Sequence, residues 1–296
     1  MLAQHRLSNV LGTAIEDIDL SRELPDAEFE AVAQALWETG VLAIKGQRLA
    51  PDQFLAFASR FGQPEPHVID QFHYPGYPDI LILSNRRENG EPIGLADAGS
   101  YFHTDYSYLE IPARLTMLYS IEVPTRGGNT LFANMYAAYD DLPASTKARI
   151  DELVVLHHYG NRDDLDEGSR TAASTLTAQQ QDKVRWVRHK LVRTHHFTRR
   201  KALYAISGSS FEIEGMPPAD GRRLLDELKA HALQDKYRLS YFYEVGDVVL
   251  WDDLSTLHSA TLTDPADPRT LWRITVKEPA TGLAALDVLA PTFASK

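Results

Sequence analysis

Cysteine is absent from the 296-residue chain, which removes disulfide scaffolds, thiolate zinc sites and cysteine nucleophiles together. Any metal must then rest on histidine and carboxylate. Positive charge is also scarce: 30 Lys and Arg against 41 Asp and Glu leave a formal charge of −11, which repels phosphate backbones and argues against a nucleic-acid partner. No apolar run is long enough for a membrane span, and the opening MLAQHRLSNVLG lacks the long apolar segment of a signal peptide. The expectation is a soluble, cytoplasmic protein with no membrane partner. What is present is the mix of a globular enzyme. Hydrophobic residues make up 44% of the chain, with 13 tyrosines and 4 tryptophans, too apolar for disorder and enough at this length for a substantial core.

Periodicity supplies the organisation. The stretch 25-PDAEFEAVAQALWETG-40 opens on Pro25-Asp26 and closes on Gly40, so it reads as a capped helix, and 51-PDQFLAFASRFG-62 repeats the pattern. Between them 41-VLAIKG-46 is short and β-branched, a buried strand. From Pro78 onward DILILSN, ARLTMLYSIEV, NTLFANM, KALYAIS, LSYFYEV, DVVLWDD and LWRITVKE are strand-like runs broken by Gly, Pro and Asp. Many short strands of this kind suggest a sandwich or barrel. The polar, weakly periodic stretch 161–190 is too long for an ordinary turn and reads as an inserted, partly helical, lid-like excursion. No internal repeat and no Pro-, Gly- or Ser-rich linker divides the chain, so one domain over 1–296 is expected.

Within 100-SYFHTDYSY-108, His103 and Asp105 stand two residues apart. On a strand, i and i+2 share a face, so both side chains reach one ion. With 11 histidines in the chain, roughly one His-x-Asp arises by chance. The pair gains weight from 246-GDVVLWDDLSTLHSATLTDPADPRTLWRITV-276, where an apolar strand is followed by His258, Arg269 and Arg273. Two imidazoles and one carboxylate on one face of an ion leave positions open for a cosubstrate and dioxygen, an arrangement that suits ferrous iron. Zinc hydrolysis would want a base placed as in H-E-x-x-H, which does not occur here.

The combination of FHTD, 124-PTRGGNTLFANMYAAYDDLP-143, 191-LVRTHHFTRRKALYAI-206 and GDVVLWDD with His258, Arg269 and Arg273 resembles the Fe(II)/2-oxoglutarate dioxygenases of the taurine dioxygenase and 2,4-D dioxygenase family. The resemblance runs over nearly the whole chain. It implies a mainly β fold with α, a jelly-roll (double-stranded β-helix) core with N-terminal and inserted helices outside. It also implies Fe(II), 2-oxoglutarate as cosubstrate and O2, and hydroxylation of a small organic anion such as a sulfonate, aryloxyalkanoate or other carboxylate, which cleaves the substrate when the hydroxylated carbon bears a leaving group. The alternatives are the same cofactor chemistry in a natural-product pathway, by desaturation or decarboxylative oxidation, a non-catalytic jelly-roll binder, or a zinc hydrolase on the same fold.

Carried over position by position, the resemblance gives His103, Asp105 and His258 as iron ligands. Arg269 and Thr130 match the pair that binds the distal carboxylate of 2-oxoglutarate. A guanidinium offers that carboxylate a rigid two-pronged fork and stays charged when buried. Arg273 matches the arginine that grips the substrate anion, and His67, more loosely, a substrate-binding histidine. Asp253 stands where the family's pattern reads WDN, and Phe102 where a tryptophan is frequent. His195-His196 falls in the family's RTH strand and reads as structural. A homo-oligomer is compatible with the resemblance, although no residue marks an interface.

Overall fold

In this computed structural model residues 2–96, 98–159 and 185–278 are described. Eight strands form the larger sheet, in the spatial order Gln4–Arg6, Thr13–Ile15, Val41–Ile44, Val248–Asp252, Ala113–Glu122, Thr270–Lys277, Tyr77–Ser84 and His73–Tyr74. All neighbours are antiparallel except Thr13–Ile15 beside Val41–Ile44. A second sheet orders Arg238–Tyr241, Thr130–Asn134 and Thr256–Ala260. The two sheets face each other as a jelly roll.

The two-residue period of a strand explains why the central runs look uniformly apolar. Leu42, Ile44, Val248, Leu250, Ile274 and Val276 point outward into one core cluster with Phe29, Trp37, Phe54, Phe57 and Phe61 from the helices Asp26–Thr39 and Pro51–Ser59 and the turn after them. Their neighbours Val41, Ala43, Val249, Trp251 and Leu271 point inward and meet Phe132 and Tyr241 of the second sheet. Each strand is therefore buried on both faces, and a fully buried Leu or Phe side chain contributes about 1.5–3 kcal/mol. Arg273 and Thr275 continue the inward row of Leu271, which brings polar groups to one end of the space between the sheets.

A third cluster packs the helices Met135–Asp140, Ala144–Ile150 and Pro218–Ala232 around Leu203, Tyr204 and Leu257. The expected helices at 25–40 and 51–62 are present. Two details differ from expectation. Of the stretch 161–190, residues 161–184 lie outside the described residues, while Val187–Lys190 is a strand paired with Val154–His157. The His103-Thr104-Asp105 segment is not an extended strand. His103 makes a single bridge to His258, and a turn with Tyr106 at φ 50° follows directly.

Candidate active site

Because His103 exchanges backbone hydrogen bonds with His258 at 2.9 Å in both directions, the two side chains emerge side by side, their ring centroids 4.2 Å apart. The turn after His103 then swings Asp105 back toward them. His103 Nε2 lies 3.5 Å from Asp105 Oδ1, and His258 Nε2 lies 3.5 Å from Asp105 Oδ2. Ligand atoms of the three side chains all fall within 4.8 Å of one another, and no other group of three such residues among those described does so. The proximity reasoned from a strand is thus real, but a bridge and a turn produce it.

The surroundings bias these groups toward a cation. His103 Nδ1 lies 2.8 Å from the Tyr101 carbonyl, which accepts its proton, so Nε2 presents a lone pair. His258 is fixed differently, by ring contacts with Trp251 at 4.6 Å and Phe132 at 6.5 Å, and its buried Nδ1 has no hydrogen-bond partner among the described residues. Burial, reinforced by the neighbouring His103, holds the His258 ring well below its ordinary pKa and therefore neutral. Burial would raise Asp105, but Arg273, together with His258 and His103, outweighs it and keeps the carboxyl well below the usual range. Imidazole nitrogens facing a carboxylate at this spacing suit a divalent cation between them.

Behind Asp105 stands a polar layer that sequence reading missed in part. Thr116 Oγ1 donates to Asp105 Oδ2 at 2.7 Å and lies 2.9 Å from Asp253 Oδ2 and 3.1 Å from Thr275 Oγ1. Asp253 Oδ1 accepts the Asp105 backbone N–H at 3.1 Å. Asp253 is fully buried, and burial with the adjacent Asp105 charge pushes its carboxyl well above the ordinary range. Nothing in the spacing of Thr116 marked it. It sits 11 residues from Asp105 in sequence, on the inward face of a strand that reads as core.

Arg273 Nη2 lies 2.7 Å from Asp105 Oδ1 as an ion pair, without the alignment of a hydrogen bond, and its guanidinium covers the Tyr106 ring at 5.5 Å. His67 approaches the same place, with its ring 6.0 Å from Tyr106. Its Nδ1 accepts from the Ile69 N–H at 3.1 Å, leaving the proton on Nε2 as a donor, and burial with the nearby Arg273 lowers its pKa to about 3. Tyr106 and Tyr108 pack with Tyr159 beside this point, whereas Phe211 turns away to Trp186. Arg269, at the entry of the strand Thr270–Lys277, donates from Nε to the Gly128 carbonyl at 3.1 Å. Thr130 Oγ1 lies 2.8 Å from Tyr243 Oη, and the Arg269 charge acts on Tyr243, offsetting part of the upward push of burial. Tyr243 is the residue missed here, and the signal was its place one strand away from Thr130 in YFYEV. His195 is remote from the centre, 3.6 Å from Asp252.

Two histidines and an aspartate converging at one end of a jelly roll, with buried arginines on the same inner layer, define a non-haem metal oxygenase type of site. The chain belongs to the taurine catabolism dioxygenase TauD, TfdA family, whose model matches residues 3–275. It is 33% identical over 291 residues to the alpha-ketoglutarate-dependent 2,4-dichlorophenoxyacetate dioxygenase of Cupriavidus pinatubonensis, covering 93% of this chain and 97% of that protein. It is 30% identical over 273 residues to pentalenolactone F synthase of Streptomyces arenae, covering 89% and 91%. Among solved structures it resembles AAD-2 in complex with Mn(II) and N-oxalylglycine, with a TM-score of 0.78 and 30% identity over 95% of this chain and 100% of that one. Among the described residues no helix is long and apolar enough to cross a membrane.

Proposed function

We propose that the protein is an Fe(II)- and 2-oxoglutarate-dependent dioxygenase in which His103, Asp105 and His258 hold the iron, Arg269 and Thr130 with Tyr243 hold the distal carboxylate of 2-oxoglutarate, and Arg273 with His67 receives the substrate anion. The observation that carries the reading is the convergence of the three ligand atoms within 4.8 Å in a chain of this family. When bound, iron and 2-oxoglutarate supply the oxidation: one oxygen of O2 goes to succinate, the other to a substrate carbon as hydroxyl, and carbon dioxide leaves.

The protein's own share is orientation and exclusion of water. The Tyr101 carbonyl keeps the His103 proton on Nδ1. Arg269, placed by its Nε contact with the Gly128 carbonyl, directs a guanidinium at a carboxylate, and Thr130 adds a hydroxyl. Arg273 supplies a charge that is retained when buried, and neutral His67 supplies an Nε2–H, so the pair suits a small organic anion such as a carboxylate or sulfonate. Relatives named for dichlorophenoxyacetate, phenoxypropionate and sulfate ester oxidation support hydroxylation beside a leaving group. The similarity to pentalenolactone F synthase favours, as the second reading, an oxidation in a natural-product pathway with the same cofactor residues. Cytoplasmic location and a homo-oligomeric state belong to the proposal as well.

The test is anaerobic addition of Fe(II) and 2-oxoglutarate, which is expected to give a weak visible charge-transfer band that His103→Ala lacks. A panel of carboxylates and sulfonates is then screened for succinate release and product identity. A native protein without the band would overturn the reading.

A further inference from the structure

Asp105 is contested from two sides. Its Oδ1 lies 2.7 Å from Arg273 and its Oδ2 accepts from Thr116 at 2.7 Å, while both oxygens must also face the two imidazoles. Resting on the reading of Asp105 as a metal ligand, we propose that Thr116 and Asp253 are positioning residues that hold Asp105 toward the histidines while its Oδ1 pairs with Arg273.

The geometry gives two points of attachment. Asp253 Oδ1 takes the Asp105 backbone N–H at 3.1 Å, which fixes where the residue starts. Thr116 takes Oδ2 and so fixes the rotation of the carboxylate. Asp253 Oδ2, 2.9 Å from Thr116 Oγ1, and Thr275 Oγ1, at 3.1 Å, hold that hydroxyl in turn. All four side chains are buried, so water does not compete for these contacts, and low local dielectric strengthens them. A hydroxyl carries one proton. Since the contact with Asp105 is the shortest of the three, the other neighbours are best filled by groups that can donate to Thr116. Asparagine at 253 would do so while still accepting the Asp105 N–H, and alanine would do neither. Thr116 and Asp253 therefore act on Asp105 as outer partners act on metal-binding carboxylates generally.

The test is Mn(II) affinity, read by electron paramagnetic resonance of the free ion, for the native protein, His103→Ala, Thr116→Val, Thr116→Ser, Asp253→Asn and Asp253→Ala. The visible band with Fe(II) and 2-oxoglutarate is recorded alongside. Thr116→Val and Asp253→Ala are expected to weaken Mn(II) by about 10-fold or more, the usual cost of removing an outer partner, whereas Thr116→Ser and Asp253→Asn retain native affinity. Native Mn(II) affinity in Thr116→Val, or an equal loss in Thr116→Ser, overturns the proposal. Should Thr116→Val fail to fold, equal affinity in Asp253→Ala and Asp253→Asn overturns it, and a loss confined to Ala sustains it. A native protein that does not bind Mn(II), or a His103→Ala that binds it fully, removes the metal-site reading and this proposal together.

Discussion

Two arginines four residues apart are asked to do different work, and their side-chain surroundings distinguish them. Arg269 is tethered by Nε to a carbonyl, which orients its planar guanidinium fork. A lysine there would keep the charge and lose the fork. Arg269→Lys is expected to weaken 2-oxoglutarate by about 10- to 100-fold, the equivalent of one charge-assisted hydrogen bond of about 1.5–3 kcal/mol, with Mn(II) affinity unchanged; titration of the visible band checks it. Asp252 gives a second residue-scale prediction. Burial raises its carboxyl to about 6, only partly offset by Ser255 and the Leu254 N–H, against 3.8 in the unfolded chain. The folded state therefore binds the extra proton between these values, and stability from this group is present below about 4 and lost as pH rises through about 6. His195, lowered to about 3 chiefly by burial, has the opposite slope, so the native profile alone hides the effect. Asp252→Asn removes one partner only. Its stability relative to the native protein is expected to improve from pH 4 to pH 7, by at most about 3 kcal/mol at 1.4 kcal/mol per unit, in urea unfolding at each pH. The candidate cluster of His103, Asp105 and His258 was legible from residue type, because few side chains can ligate a metal. Thr116 and Tyr243 were not legible, since a hydroxyl facing inward from a strand looks like any other polar interruption until the facing strand is placed.

At the scale of elements, the turns before and beside the site are as constrained as the strands. Gly128 has φ +67°, and a Cβ there would lie 3.0 Å from Arg269 Cδ and Nε and 2.6 Å from Pro124. Gly128→Ala is expected to shift Arg269 and weaken 2-oxoglutarate by about 10-fold through one distorted charged contact, while leaving Mn(II) binding intact. Gly208, at φ +86°, would put a Cβ 2.6 Å from His103 Cβ and 3.1 Å from its Cα. Those atoms belong to the chain's path and cannot swing aside. Gly208→Ala should therefore abolish Mn(II) binding, and the contrast between the two variants is read in one pair of titrations. The central strands were legible because each is a short apolar run bounded by turn residues. The helix Pro218–Ala232 went unread although Leu224, Leu225, Leu228 and Ala232 repeat at helical spacing after Pro217-Pro218. Its polar face is dense in charge, and the eye follows that instead. The His103 segment shows the opposite error. A two-residue spacing suggested a strand, whereas the site uses one bridge to His258 and a left-handed Tyr106, neither of which leaves a mark in composition.

For the whole molecule, the candidate centre ties the two sheets together. His258 belongs to the smaller sheet, His103 is bridged to it, and Asp105 is bonded to Thr116 of the larger sheet. A cation that binds only the folded arrangement stabilises it by about 2.7 kcal/mol at 100 times its Kd. At roughly 2 °C per kcal/mol for a chain of this size, Mn(II) should raise Tm by about 5 °C, and a chelator should reverse the shift. The two ligand types then separate. His103→Ala loses the Mn(II) shift and keeps a Tm close to that of the metal-free native protein, because its side chain is partly exposed and its removal buries no unpaired charge. Asp105→Ala loses the shift and also the baseline, because Arg273 is buried and its counter-charge is gone, a deficit of about 3–5 kcal/mol. Metal-free Asp105→Asn should sit between the two, since it keeps the hydrogen bond from Thr116 but not the charge. If Asp105→Ala without metal melts where the native protein does, Arg273 draws its compensation from elsewhere, and Asp105 cannot be the group that holds it between turnovers.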